Sequence, residues 1–382
     1  MKTERTAPSP ESLAFPRAAD PDTRRSVPRT HLAEKPRILL VAALFKLPYR
    51  VLRCAAEAGA SVFVLGSARA QGLRHSKCCE AFIDFDGPID GRLNTDLVRE
   101  INRLVNALSI ELVAPADALS TRSLLEIAPL IDAPCFPMPA LAAFDLLNDK
   151  WRFTQLCGEL GIPCPESWLF DDAEQLRAEA RRGGLPFPFI AKPLSLDGSA
   201  GCIAVADEGR IGKLNGVSYR PIIVQKFIPG LDIGSSMFCR DGEIEAFLTH
   251  SYINAVYKAH SEPRVYDEMS KVARRLRLTG IFNFDMRLTD DGDVFFLECN
   301  PRFYYKMAMS MLAGVNFLGF GLPWRRGIEA ATVPTPVALP FPKAMLRSLL
   351  TPWQLDAAAW RVLRFLLADP VPFLRESLRF DK

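Results

Sequence analysis

Two carboxylates and two carboxamides recur at a spacing able to grip a metal ion. They lie in Gly280-Ile281-Phe282-Asn283-Phe284-Asp285-Met286-Arg287-Leu288 and Val294-Phe295-Phe296-Leu297-Glu298-Cys299-Asn300, joined by Thr289-Asp290-Asp291-Gly292-Asp293. Asp-Gly between two alternating runs signals a β-hairpin, because both residues tolerate positive φ. With Asp291-Gly292 as a two-residue loop, Asp285 faces Glu298 and Asn283 faces Asn300. Side chains alternate with period two. One face then carries Phe282, Phe284, Met286, Leu288, Phe295, Leu297 and Cys299; the other carries Asn283, Asp285, Arg287, Phe296, Glu298 and Asn300. Directly opposed residues have Cβ atoms about 5 Å apart. Carboxylates that close repel, or one keeps its proton, unless a cation lies between them. Hard oxygen ligands from few residues suit Mg²⁺ shared with substrate phosphates. A solvated polar strand face is the plain alternative.

Two upstream segments offer complementary chemistry. Phe189-Ile190-Ala191-Lys192 reads as a strand ending on a lysine, followed by Pro193-Leu194-Ser195-Leu196-Asp197-Gly198-Ser199-Ala200-Gly201 and a second strand. Such a loop exposes backbone N–H groups that cradle phosphate, and the lysine adds a point charge. An ordinary hairpin loop with an exposed lysine fits equally. Val224-Gln225-Lys226-Phe227-Ile228-Pro229-Gly230-Leu231-Asp232 reads as a strand leaving a sheet, which frees backbone groups for a base edge and places an acid near ribose hydroxyls. A plain turn fits as well. Arg287, on the carboxylate face, suits either a substrate carboxylate or Glu298 as a partner. His250, Lys258, His260, Arg264, Tyr304 and Lys306 are candidates for an acceptor pocket, against residence on the surface.

The elements that must position these groups fall into two patterns. Strands at 38–42, 61–66, 81–85 and 110–114 alternate with helices at 49–59, 93–108 and 119–131, which predicts a doubly wound parallel sheet over 37–147. The turn Ala43-Leu44-Phe45-Lys46-Leu47-Pro48 lacks a Gly-rich phosphate loop, so this domain is expected to wall a cleft rather than hold a dinucleotide. From Asn148 helices at 150–160 and 173–182 precede strands at 189–192, 202–205, 222–225 and 235–238, and a helix at 267–278 leads into the hairpin. Runs of strands with short turns predict antiparallel sheets and an α+β domain over 148–330. Residues 1–36 read as a disordered tail and 331–382 as a helical extension. In the latter, Leu355, Ala359, Val362, Leu363 and Leu366 form a stripe flanked by Arg361 and Arg364, which packs on the protein's own body or docks on a partner or membrane surface.

Composition narrows the function classes. At 382 residues the chain needs two or three cores. A net charge of +3 with no basic stripe argues against nucleic-acid binding. Nine cysteines without CxxC and four histidines without zinc spacing suit reduced thiols in a cytoplasmic protein. Neither a membrane span nor a secretory signal is expected.

In order and spacing, Asp149-Lys150, Ala191-Lys192-Pro193 with Gly198-Ser199-Ala200-Gly201, Gln225 to Gly230 with Asp232, Asn283-Phe284-Asp285, and Glu298-Cys299-Asn300-Pro301-Arg302 resemble the ATP-grasp superfamily over about 37–322. The chain looks most like its ligases related to the carbamoyl phosphate synthase large subunit. The resemblance implies a Rossmann-like pre-ATP-grasp domain and an ATP-grasp fold whose lid subdomain spans about 165–230. It implies that Lys150 and Lys192 contact ATP phosphates under a lid containing Gly198, Ser199 and Gly201. Gln225, Lys226 and Ile228 would hold adenine, and Asp232, where the family usually has Glu, the ribose. Asp285, Glu298 and Asn300 would bind two Mg²⁺, with Mn²⁺ able to substitute; Arg302 would steady the transferred phosphoryl group. Lys192 and, from its place on the carboxylate face, Arg287 complete the catalytic candidates. The activity implied is ATP-dependent joining of a carboxylate to an amine through an acyl phosphate. A carboxylate kinase, a ligase with a non-amine acceptor and a non-catalytic nucleotide-binding regulator are the alternatives. Expected partners are small molecules, with a homodimer or docking contact through the C-terminal extension.

Overall fold

The unbroken apolar run Ile38-Leu39-Leu40-Val41-Ala42 is buried on both faces, as expected of a central parallel strand. It forms β1 (Arg37–Ala42) in the computed structural model, which describes residues 35–195, 200–325, 336–342, 345, 353 and 355–377. The calls at Gly198 and Ser199 and the N-terminal tail up to residue 34 lie outside these residues. Helix α1 (Lys46–Glu57), β2 (Ser61–Gly66), β3 (Cys79–Asp84), α2 (Thr95–Leu108), β4 (Leu112–Pro115) and α3 (Ala118–Ile127) follow. The strands form a parallel sheet in the order β3-β2-β1-β4. Alternate residues of β1 serve different cores: Ile38, Leu40 and Ala42 pack with α1, while Leu39 and Val41 pack with Leu97, Ile101, Leu104 and Val105 of α2. Helix α1 starts three residues before the expected Tyr49. Pro48 is tolerated there because first-turn N–H groups have no intrahelical partner.

Asp117 fixes the loop after β1. It caps α3 through a capping box with Ser120, and its Oδ2 accepts from the N–H groups of Ala43 (2.8 Å) and Leu44 (2.9 Å). Burial raises its pKa and these hydrogen bonds oppose the rise.

After α4 (Leu141–Asn148), Asp149 caps α5 (Lys150–Leu160) by accepting from the N–H groups of Trp151 and Arg152. The chain continues through β5 (Ser167–Phe170), α6 (Ala173–Arg181), β6 (Phe189–Pro193), β7 (Ile203–Val205) and β8 (Ile222–Lys226), forming an antiparallel sheet in the order β5-β8-β6-β7. Then β9 (Leu231–Arg240), β10 (Glu243–Ile253), β11 (Val256–His260), α7 (Pro263–Leu276), β12 (Gly280–Leu288) and β13 (Val294–Asn300) build a second antiparallel sheet. Val265, Met269, Val272 and Ala273 of α7 pack on Phe247, Phe282, Phe284 and Phe296 of that sheet.

The C-terminal region is not purely helical. After α8 (Met307–Leu312) and α9 (Phe317–Phe320), Val337–Pro340 forms β14, which completes the larger sheet as β13-β12-β9-β10-β11-β14. Helices α10 (Ala357–Ala368) and α11 (Pro370–Ser377) follow. Ala359, Val362, Leu363 and Leu366 enter the core shared with α1, β10 and β11, so the stripe packs on the protein's own body. Met307 and Met309 are also buried in that core.

Replacing Asp117 with Ala removes a helix cap and two loop hydrogen bonds together. Unfolding free energy should fall by about 2–4 kcal/mol in urea titration; a loss below about 0.5 kcal/mol would dissociate Asp117 from loop placement.

Candidate functional site

Asp285 and Glu298 face each other across β12 and β13, and Asn283 faces Asn300. The route to that register differs from the expectation. Leu288 pairs with Val294, so Thr289–Asp293 form a five-residue loop. A bulge between the Asp285 and Met286 pairs leaves Leu297 as the extra residue and shifts the pairing by one. The faces of Phe296 and Leu297 are therefore exchanged. Phe296 is buried in the core beside Phe284, and Leu297 lines the site cavity.

Both oxygens of Asp285 accept from carboxamides: Oδ1 from Asn283 Nδ2 at 3.2 Å and Oδ2 from Asn300 Nδ2 at 3.0 Å. Asn283 is turned by Ser236 of β9, whose hydroxyl donates to Oδ1 at 3.0 Å. Asn300 Oδ1 accepts from Arg302 Nη2 at 2.8 Å, and Arg302 Nη1 donates to the carbonyl of Phe303 at 3.0 Å. Two buried lysines converge on the other carboxylate. Lys150 Nζ lies 3.3 Å and Lys192 Nζ 3.8 Å from Glu298 Oε2.

The charges are unequal in their effects. Burial, then the neighbouring Glu298, pushes Asp285 up to about 6. Burial also disfavours ionised Glu298, but Lys150 and Lys192 outweigh it and hold the carboxyl below its ordinary range. Burial lowers the pKa of Lys192, opposed by Glu298. Among the described residues no group of three or more His, Cys, Asp or Glu is arranged to hold a metal, so the oxygen set here is two carboxylates plus the Asn300 amide.

These groups line one cavity of about 1220 Å³. Gln225, Lys226, Ile228 and Asp232 line it too. Gln225 is held by Ser167 Oγ at 3.2 Å, and the Lys226 N–H donates to the Glu166 carbonyl at 2.9 Å. Gly201 does not line it; its carbonyl accepts from the Tyr219 hydroxyl at 2.6 Å. Arg287 points away from Glu298: it pairs with Asp232, its register partner on β9, and donates from Nε to the Ile228 carbonyl at 2.9 Å. Its guanidinium also lies 5.1 Å from the Phe227 ring centroid. Arg287 thus ties together the residues expected to hold adenine and ribose.

Several wall residues had weak or no sequence signals. The loop Leu44-Phe45-Lys46-Leu47, Arg69 and Gln71 form the wall expected of the N-terminal domain, while Arg375 of α11 had no motif to announce it. Asp117 was legible as Asp-x-x-Ser, a capping pattern. His250, Tyr304 and Lys306 line the cavity; Lys258, His260 and Arg264 do not. The His250 ring is buried and stacked on Tyr257 with centroids 5.1 Å apart, and burial keeps it neutral. Gly234 leaves room for it, since a Cβ there would lie 2.8 Å from the imidazole.

The parallel sheet, the two antiparallel sheets and the cavity they line define the ATP-grasp fold. Solved structures with this fold include carboxyaminoimidazole ribonucleotide synthase from Aspergillus clavatus complexed with ATP, at 15% identity and TM-score 0.62, covering 84% of this chain and 87% of that one. The biotin carboxylase domain of 2-oxoglutarate carboxylase from Hydrogenobacter thermophilus, in complex with MgADP, ADP and bicarbonate, matches at 18% identity and TM-score 0.59, covering 78% and 71%. Residues 218–339 match the family described as ATP-grasp in the biosynthetic pathway with Ter operon. By sequence the chain is similar to carbamoyl phosphate synthase large chains: the arginine-specific large chain of Geobacillus stearothermophilus is 26% identical over 175 residues, and the large chain of Archaeoglobus fulgidus 28% over 182. These alignments take in 41% and 42% of this chain but only 16% of each relative.

Asp285 should titrate near pH 6 in carboxyl ¹³C NMR of the metal-free protein. Because that value exceeds the ordinary 3.8, ionising Asp285 opposes folding, and its favourable contribution is lost as pH rises from about 4 to about 6. Titration near 4 would show that burial and Glu298 do not act on it.

Proposed function

We propose that this protein is an ATP-dependent ligase that joins a carboxylate to an amine through an acyl phosphate, releasing ADP and phosphate. The observation that carries this reading is the Asp285–Glu298 pair facing Lys150 and Lys192 in one cavity. Two buried carboxylates in register are costly without a cation, and Asp285 already resists ionisation for that reason. The donor set fits Mg²⁺, or Mn²⁺ in its place: Asp285 and Glu298 supply oxygens to one ion, Glu298 and Asn300 to a second. The Asn300 oxygen keeps a lone pair beyond its bond to Arg302. When bound, the ions neutralise charge on the phosphates.

The chain's own residues do the rest. Lys150 and Lys192 turn from Glu298 toward phosphate oxygens, and Arg302 holds the transferred phosphoryl group. Phosphoryl transfer needs this positioning and charge neutralisation more than covalent help. Gln225, Lys226 and Ile228 border adenine, and Asp232 borders the ribose. Arg287, paired with Asp232, positions that nucleotide end and stays out of the chemical step. Attack of the substrate carboxylate on the γ-phosphate gives the acyl phosphate; the amine then displaces phosphate. Water has to be kept from that species, because it would hydrolyse it.

Use of ATP and nine free cysteines favour a cytoplasmic location. Among the described residues no helix is long and apolar enough to cross a membrane. A homodimer or docking contact through the C-terminal region would use the outward residues Trp360, Leu367, Val371 and Leu374. Its carboxylate and amine are the main unknowns, and a screen coupled to phosphate release addresses both.

ADP release should require a carboxylate and an amine together, and hydroxylamine should trap the activated acyl group as a hydroxamate. Glu298→Gln should cut turnover about a thousandfold, roughly 4 kcal/mol, with the melting temperature retained. Unchanged turnover in this variant would refute the metal assignment. Binding of Mg-ATP with no turnover across the panel would favour a regulator, and hydroxamate formation with no amine product a kinase or another acceptor.

A further inference from the structure

Residues 301–306 leave β13 and form neither helix nor strand before α8 begins, yet Arg302, Tyr304, Tyr305 and Lys306 all line the cavity. Fixing such backbone costs conformational entropy, and no ladder of main-chain bonds offsets it here, so side chains have to hold it. At the start of the segment, Arg302 donates to Asn300 Oδ1 and to the Phe303 carbonyl. In the middle, the Tyr304 hydroxyl donates to Ser310 Oγ at 2.7 Å and ties the segment forward to α8. The far end, next to Lys306, is held by another part of the chain.

Tyr305 reaches Glu376 of α11. Its hydroxyl donates to Glu376 Oε1 at 2.5 Å, and Arg50 of α1 pairs with Oε2 at 2.6 Å. Arg50 also donates to the Tyr305 hydroxyl at 3.0 Å, and its guanidinium lies 4.5 Å from the centroid of that ring. Both oxygens of Glu376 are thus used, and its side chain is 4% exposed. Glu376 and Arg50 do not line the cavity; they stand behind its wall. Both also lie outside residues 218–339 that match the family model, whereas residues 301–306 lie inside them. The two ends of the chain therefore meet on a segment that belongs to the family's own site. A buried ion pair adds little stability over apolar side chains of similar volume. What this pair supplies is a short, charge-assisted hydrogen bond of fixed direction, and it falls on the residue between Tyr304 and Lys306.

We propose that Glu376, through Tyr305, is a positioning residue for the phosphoryl-transfer end of the site: it holds residues 302–306 so that Arg302 meets the γ-phosphate. Arg50 orients Glu376 and stays out of contact with the nucleotide. Helix α11 is then part of the working site although its glutamate touches no substrate. This inference rests on reading the cavity as a ligase site in which Arg302 holds the transferred phosphoryl group.

The test is calorimetric titration of the full chain with the magnesium complexes of AMP-PNP, a non-hydrolysable ATP analogue, and of ADP, which lacks the γ-phosphate. Glu376→Ala should weaken AMP-PNP binding about tenfold and leave ADP binding within about twofold. A structural defect alone would weaken both alike. Glu376→Gln keeps an oxygen for the Tyr305 hydroxyl and should recover part of the loss. Arg364→Gln, exposed on α10, should change neither affinity. Should Glu376→Ala fail to fold because Arg50 loses its partner, the double variant Arg50→Met with Glu376→Leu buries no unpaired charge and carries the same expectation. Amide hydrogen exchange gives a second readout. The N–H groups of Met307 and Met309 donate to the Tyr304 and Lys306 carbonyls at 3.1 and 2.9 Å, and they should exchange about tenfold faster in Glu376→Ala. Nucleotide affinities that stay unchanged, or that fall in parallel, would overturn the proposal. A wild-type chain that binds neither nucleotide would instead overturn the ligase reading, and unchanged exchange would then dismiss Glu376 as a positioning residue as well.

Discussion

A strand pair forces two carboxylates to confront each other in a buried site, and the surrounding chemistry answers that constraint. Asp285 and Glu298 sit in direct register, and nothing in the backbone lets either retreat. Lys150 and Lys192 both lie against one oxygen of Glu298. With both acids ionised the four side chains sum to zero charge; with Asp285 protonated they sum to +1. Burial favours the second state and pushes Asp285 up to about 6. Lys150 and Lys192 thus neutralise Glu298 in place.

The scaffold holds this arrangement in one geometry. β12 lies between β13 and β9, so Asp285 receives support from both sides: Asn300 from β13 directly, and Ser236 of β9 through Asn283. Helix α5 begins on its Asp149 cap with Lys150 as its first residue, which ties the lysine's height to a capped helix end. The Lys150 N–H also donates to the Leu194 carbonyl at 3.0 Å, just past Lys192. The two lysines are therefore coupled through backbone as well as through Glu298. Positions fixed by main-chain hydrogen bonds lose little freedom on binding, the physical content of preorganisation.

Much of this was legible because the signals were local. Continuous apolar strands and 3.6-period helices placed the N-terminal sheet, and the Asp-Gly loop paired the acids. That pairing was reached through two offsetting irregularities, however. The loop has five residues rather than two, and Leu297 is a bulge. A five-residue loop without the bulge would oppose Asp285 to Leu297 and turn Glu298 into the core, since a one-residue slip flips a strand's faces. The bulge carries no residue signature, so the exchange of Phe296 and Leu297 was invisible. Arg287 was misplaced for a related reason. Its partner Asp232 lies on β9, which the sequence suggests only over 235–238, because Gly234 and Pro229-Gly230 read as breaks. Gly234 is instead a strand residue kept small by the His250 ring.

The C-terminal region shows what local signals cannot reach. Its stripe specified that α10 would be buried, and periodicity can say no more than that. Its destination depends on groups more than 300 positions away: Arg53 donates to the Phe365 carbonyl at 2.6 Å and lies 3.9 Å from Asp369, while Arg50 pairs with Glu376. Arg53 is almost wholly buried, with its guanidinium 3.7 Å from the Phe365 ring centroid. Burying an arginine is costly unless its charge is paired, so Arg53 makes α1 and the C-terminal helices depend on each other. That dependence carries Arg375 to the cavity wall. The cavity is lined from both ends of the chain, and tertiary packing alone gathers those segments, so no sequence spacing reveals which of their residues reach it.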